Sequence, residues 1–156
     1  MNLAVFQSSI LKKFQTELQS VPGIADALNL LAHPKCVASS SNLERIQASL
    51  RLTALEPFFQ SKLYSTGTVT RGKPRPDVLL HAAQDIGVDP SAAIVVEDSP
   101  AGLQAAQAAN TKTFAYVGGS YAVHADLKET LRTLSTDVLI DDMADPPAAV
   151  DRLAVA

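Results

Sequence analysis

One cysteine, Cys36, stands in the 156 residues, so no internal disulfide can form. Its place in the apolar run Lys35-Cys36-Val37-Ala38 suits an inert, buried thiol in a reducing compartment. Long apolar runs are lacking too. The segment from Met1 to Phe14 is interrupted by Gln7, Ser8, Ser9, Lys12 and Lys13, which removes both the continuous core of a signal peptide and the length of a membrane span. The expected location is cytoplasmic, with no membrane partner. Basic clusters are missing as well. With 13 Lys and Arg against 16 Asp and Glu, the formal charge is -3, and the broad positive footprint of a nucleic-acid binder is absent. The histidines His33, His81 and His124 have no metal-ligand spacing with one another or with Cys36, which argues against zinc. Neither an internal repeat nor a low-complexity segment is visible.

What remains is ordinary material for one soluble domain with a real core, 47% hydrophobic and 19% charged. Leu3, Phe6, Ile10, Phe14 and Leu18 recur at three- and four-residue steps, predicting an amphipathic helix that ends near Ser20, before Pro22-Gly23. A helix is expected from Ile24 to Ala32, then a strand from Lys35 to Ala38 and the run Ser39-Ser40-Ser41. Ser41 and Glu44 have capping-box spacing for a helix through Arg45, Ile46 and Leu50. Leu63 to Ser65 reads as a short strand. The loop Thr66 to Arg75 after it carries Lys73 among the breakers Gly67, Gly72 and Pro74. Pro76 at a first helical position, with Asp77 beside it, begins a helix that stops at Gly87. Ile94 to Glu97 reads as a buried parallel strand, and Ser99 as N-cap with Pro100 at the first helical position opens an alanine-rich helix closed by Asn110. A strand over Lys112 to Val117, a helix over Ala125 to Leu134, a strand over Val138 to Ile140 and a helix over Pro147 to Leu153 follow. Such alternation implies an α/β fold with a parallel sheet covered on both faces.

Three places carry candidate chemistry. Glu97-Asp98 lies at a strand's carboxyl end, where open α/β sheets bind ligands, and adjacent acids there suit a hard cation such as magnesium. The alternative is a pair of acids serving the next helix's N-terminus. Ser39-Ser40-Ser41 also follows a strand; amides and hydroxyls at a helix start make an anion site, although serine is equally a common N-cap. Lys73, between Gly72 and Pro74, can be fixed as a point charge beside a phosphate, although most lysines are simply solvated. Asp141-Asp142 resembles a second carboxylate pair at a strand end, but Asp145, Pro146 and Pro147 follow, and turn or N-cap roles suit it better.

In order, Ser39 after a strand, Lys73 in Gly-Lys-Pro-Arg-Pro-Asp, and Val-Val-Glu97-Asp98-Ser-Pro-Ala-Gly resemble motifs two, three and four of the haloacid dehalogenase-like (HAD) superfamily. The resemblance runs from about Pro22 nearly to the C-terminus and is nearest the branch of β-phosphoglucomutase and small sugar-phosphate phosphatases, including 6-phosphogluconate phosphatase. It implies a three-layer Rossmann-like core that acts on small phosphorylated metabolites with Mg2+. Ser39, with Ser40, would bind the phosphoryl group; Lys73 would neutralise it, and Glu97 and Asp98 would hold the metal. Motif one, an Asp-x-Asp on a central first strand supplying nucleophile and general acid-base, has no counterpart here. The resemblance therefore implies that residues 1–21 are a remnant of the helical cap, that residues 22–156 form an incomplete core lacking its first central strand, and that the sequence starts inside the cap. Losing about five ladder bonds on each side of that strand removes on the order of 5 to 10 kcal/mol, as much as a whole domain's stability. Rearrangement, self-association through the open sheet, or a donated strand is then expected. Ala54 and Asn110 stand where relatives tend to have glycine.

Two functional classes follow. One is a HAD-type phosphatase or phosphomutase that lacks its nucleophile and is inactive as given. The other is a non-catalytic phosphate- or magnesium-binding or strand-pairing module. A response-regulator receiver also combines acids, a hydroxyl and a lysine on a parallel sheet, but there the acids come first and the lysine last, opposite to the order here.

Overall fold

The computed structural model describes residues 17–119, 125–134 and 137–154. Within them β-branched and aromatic residues supply the short strands β1 (Val37–Ser39), β2 (Leu63–Ser65), β3 (Ile94–Glu97), β4 (Lys112–Tyr116) and β5 (Val138–Ile140). Alternating with them are α1 (Ile24–Leu30), α2 (Leu43–Leu52), α3 (Asp77–Ile86), α4 (Pro100–Ala108), α5 (Ala125–Thr133) and α6 (Pro146–Ala154). Every strand pairing is parallel. β1 pairs with β2, placing Ser39 opposite Ser65, and β3, β4 and β5 pair in that order. The helix expected over residues 3–18 falls almost wholly outside the described residues.

Side-chain alternation along β4 sends successive residues to opposite faces, as a strand covered on both sides requires. Phe114 and Tyr116 join Ile140, Met143 and Ala149, against which Val21, Ile24 and Val150 pack. Ala115 faces the other way, into a cluster with Leu103, Val117 and Leu131. Thus α1 and α6 cover one face, and α4 and α5 the other. A third cluster unites Tyr64 of β2 with Val78, Leu79 and Ala82 of α3 and Ala105 and Ala106 of α4, touching Ala38 of β1 and Val95 of β3. The cluster packs against both sheets, and among the described residues no strand ladder joins them. Among the described residues no rearrangement closes that break: β1 and β3 each keep a single paired neighbour.

Boundaries differ from expectation by a residue or two, for local reasons. The cap of α2 is Asn42, whose side chain accepts from the Arg45 amide at 2.9 Å, so the expected Ser41–Glu44 capping box does not form. Asparagine is as strong a cap as serine, and Ser41 is occupied elsewhere. Pro76 occupies the cap position of α3 rather than its first turn, and Ser39 is the last residue of β1 rather than the one after it. Other expectations hold. Gly87 ends α3 at φ 72°, Ser99 caps α4 with Pro100 behind it, and Ala54 and Asn110 take φ 57° and 58°, the left-handed region that favours glycine. Cys36 is half-buried, and burial pushes its thiol pKa up, away from reactivity.

At one flank the Tyr64 hydroxyl donates to Asp85 Oδ2, which Lys62 Nζ also approaches to 3.0 Å, while the Tyr64 ring meets His81 edge-on at 5.5 Å. The tyrosine hydrogen bond, with Lys62 adding to it, holds the Asp85 carboxyl below its ordinary range. A depressed folded-state pKa contributes stability above the unfolded value, and this is lost as pH falls through the folded one. Tyr64→Phe should therefore lower Tm at neutral pH, with the deficit shrinking as pH is taken to about 3 in scanning calorimetry. A deficit independent of pH would contradict the link to Asp85.

Candidate active site

Parallel pairing brings the carboxyl ends of β3, β4 and β5 out on one sheet edge, and those of β1 and β2 likewise. At the end of β3 the Glu97 carboxylate is engaged at both oxygens. Oε1 receives Lys73 Nζ. Oε2 accepts from the amides of Asp98 and Ser99 at 3.2 and 3.4 Å and from the Ser99 hydroxyl at 3.0 Å. That hydroxyl oxygen in turn accepts from the Gly102 amide at 3.1 Å, so one serine caps α4 and orients Glu97. The Lys73 and Glu97 side chains are only 8% and 11% exposed, so the contact is largely withdrawn from water, with Glu97 engaged at both oxygens.

Gly102 explains how the acid fits. A Cβ there would lie 2.0 Å from the Glu97 carboxyl carbon and 2.1 and 2.3 Å from its oxygens. The first turn of α4 thus carries glycine despite a helix penalty of about 1 kcal/mol. Asp98 is placed differently. It is half-buried, and that burial, with the Glu97 charge adding to it, raises its carboxyl pKa, while a bond from its own amide and the Lys73 charge oppose the rise.

Lys73 arrives on the loop between β2 and α3. Its neighbour Arg71 forms a two-pronged pair with Asp77, Nε to Oδ1 at 3.0 Å and the terminal nitrogen to Oδ2 at 3.1 Å. The Ser39 turn is laced to β2. Ser65, 3% exposed, donates to the Ser41 carbonyl at 2.7 Å and accepts from the Gly67 amide at 3.1 Å; Thr66 Oγ1 donates to the Ser40 carbonyl at 3.2 Å. Ser39 Oγ accepts from the Ser41 amide at 3.1 Å, which leaves its own proton for another acceptor. Lys73 and Glu97 are therefore in contact with Asp98 alongside, whereas Ser39 and Ser40 belong to the other sheet. Among the described residues no hydrogen bond links those serines to the lysine or the acids.

Asp142 Oδ1 accepts from the Ala144 amide at 2.9 Å, the turn role expected for it. Near it, burial raises the Tyr116 hydroxyl pKa, with the charges of Asp142, Asp98 and Asp141 adding. Sequence reasoning missed Ser65, Gly102, and the use of Arg71 and Asp77 as a pair. Gly102 alone left a signal, a glycine inside a helix start otherwise rich in alanine.

A haloacid dehalogenase-like hydrolase profile matches residues 5–110, most of the chain. The chain belongs to the haloacid dehalogenase-like hydrolases. This HAD chain is 30% identical over 110 residues to 6-phosphogluconate phosphatase of Escherichia coli (strain K12), an alignment covering 70% of the chain and 50% of that protein. It is 36% identical over 115 residues to β-phosphoglucomutase of Mycobacterium tuberculosis, covering 70% of the chain and 41% of that protein. A conserved haloacid dehalogenase-like protein of unknown function from Agrobacterium tumefaciens strain C58 superposes with TM-score 0.85 at 30% identity, over 99% of this chain and 71% of its own. The chain thus spans about half the length of the curated relatives it matches. Among the described residues no helix is long and apolar enough to cross a membrane.

Gly102→Ala should cost about 1–3 kcal/mol in urea unfolding, because the added methyl must displace a carboxylate that has four donors. An unchanged midpoint would show that Glu97 can move aside freely.

Proposed function

We propose that this chain forms the phosphoryl-binding part of a magnesium-dependent HAD phosphatase or phosphomutase for small phosphorylated metabolites such as sugar phosphates, and that it does not turn over substrate by itself. The observation that carries this reading is the buried contact between Lys73 and Glu97 at a strand's carboxyl end, with Asp98 beside it. An ammonium has three donors, so one given to Glu97 leaves two for phosphoryl oxygens. The free hydroxyl proton of Ser39 and the exposed Ser40 supply neutral donors for the same group.

The donor set suits magnesium, which takes one or two carboxylates and fills its other positions with water and phosphate oxygens. Asp98 is the direct ligand in this reading: its half-buried carboxylate is repelled by Glu97 and gains most from a nearby cation. Glu97, with both oxygens engaged, contributes its charge and holds Lys73. When bound, magnesium neutralises phosphoryl oxygen charge. The sequence contains no Asp-x-Asp, and in this reading the group that attacks phosphorus is supplied from outside it.

A second reading, a strand-pairing module, draws support from the break between the sheets. β1 and β3 each have one paired neighbour while the core cluster spans them, an arrangement suited to one more parallel strand between Ser39 and Glu97. Such a strand would restore hydrogen bonds on both sides and bring its own end residues between the serine and the acids. In this reading residues 1–21 are a remnant of the helical cap and residues 22–156 an incomplete core.

Titration calorimetry with inorganic phosphate and with magnesium chloride should show weak binding, with Kd around 1 mM. Lys73→Met should abolish the phosphate signal and Asp98→Asn the magnesium signal, and a panel of sugar phosphates should show no turnover. Wild-type protein that ignores phosphate would overturn the half-site reading, and turnover abolished by Asp98→Ala would overturn the claim of a missing nucleophile.

A further inference from the structure

Apart from the contact of Lys73 itself with Glu97, the loop carrying Lys73 is anchored at its ends. Upstream, Val69 packs on the core cluster and its amide donates to the Thr66 carbonyl at 3.4 Å. Downstream, Val78 and Leu79 are buried in the same cluster. Between them Pro74 and Pro76 are stiff, whereas Gly72 is an open joint next to Lys73. One backbone hydrogen bond, Arg75 amide to Gly72 carbonyl at 3.0 Å, makes the turn. That bond lies inside the loop and does not fix it to the body of the protein. Besides the Lys73–Glu97 contact, a connection that does so lies between Arg71, just before the glycine, and Asp77, the first residue of α3.

We propose that the Arg71–Asp77 fork is a positioning device that holds Lys73 in the site, with consequences for ligand binding that rest on the phosphoryl-binding reading above. Its geometry suits the task. Two parallel hydrogen bonds define an orientation as well as a distance, which one lysine at position 71 could not do. Asp77 is 18% exposed and seated on a rigid helix, while Arg71 is 60% exposed. The exposed partner therefore contributes restraint more than burial. Closing the span from 71 to 77 removes the freedom that Gly72 would give to Lys73, whose ammonium must enter a site where it is only 8% exposed. A helix-start acid and a surface ion pair with no further role would have the same contacts, and would leave Lys73 indifferent to their removal.

The test uses the full chain with 15N-labelled lysine, the Lys73 ammonium resonance being assigned by its loss in Lys73→Met. Wild type should show a slowly exchanging ammonium signal. Arg71→Ala and Asp77→Ala should each broaden or shift it and raise the Kd for inorganic phosphate about fivefold. The double variant should be no worse than either single one, since the pair acts as a unit. Arg71→Lys, which keeps the charge but not the fork and is the least disruptive to folding, should recover only part of the loss. Variants that keep the wild-type Lys73 signal, or singles whose effects add in the double variant, would overturn the proposal. Failure of wild type to bind phosphate would instead sink the phosphoryl-binding reading, and the ammonium signal would still judge the clamp.

Discussion

A carboxylate about nine-tenths withdrawn from solvent needs hydrogen-bond donors besides its charge partner, and the site depends on this condition. Glu97 meets it through the amides of residues 98 and 99 and the Ser99 hydroxyl. These donors exist because α4 begins immediately after β3 with serine as its cap. Space for the carboxylate exists because residue 102 has no side chain. The strand end, the helix start and the glycine are therefore one construction. Removing any part leaves a buried charge short of partners.

Asp98 is the counterpart that this construction does not satisfy. Burial and the neighbouring acid both disfavour its charged form, which in the proposed reading a bound cation offsets. At the end of the other sheet Ser39 retains a hydroxyl proton, and Lys73 has two donors beyond the one given to Glu97. In the proposed reading these groups serve an anion and a cation together. β1 and β3 lie in separate sheets, and in the proposed reading one further strand between them supplies both a ladder and the missing chemistry.

Much of this was legible in the sequence because local rules and global fold agree. The runs Val-Leu-Ile at 138–140 and Ile-Val-Val at 94–96 became strands, Ser99-Pro100 opened a helix, and Gly87 closed one. Ser39, Lys73, Glu97 and Asp98 were visible because each sits at a punctuated element boundary. Ser65 and the Arg71–Asp77 fork were not. Their roles come from the register of β1 against β2 and from a contact across a loop, neither of which leaves periodicity in the chain. The capping box at Ser41 was misread because Ser41 is drawn into the turn that binds Ser39 and Ser65, which leaves Asn42 to cap the helix.

Lys73 and Glu97 should behave as one energetic unit, and a double-mutant cycle measures this directly. Lys73→Met and Glu97→Gln would be compared singly and together by urea unfolding. Each single change should cost about 3 kcal/mol, because it strands a buried charge, and the double variant should cost far less than the sum. Additive losses would contradict the account, showing that the two charges are stabilised independently and that the site is not organised around their contact.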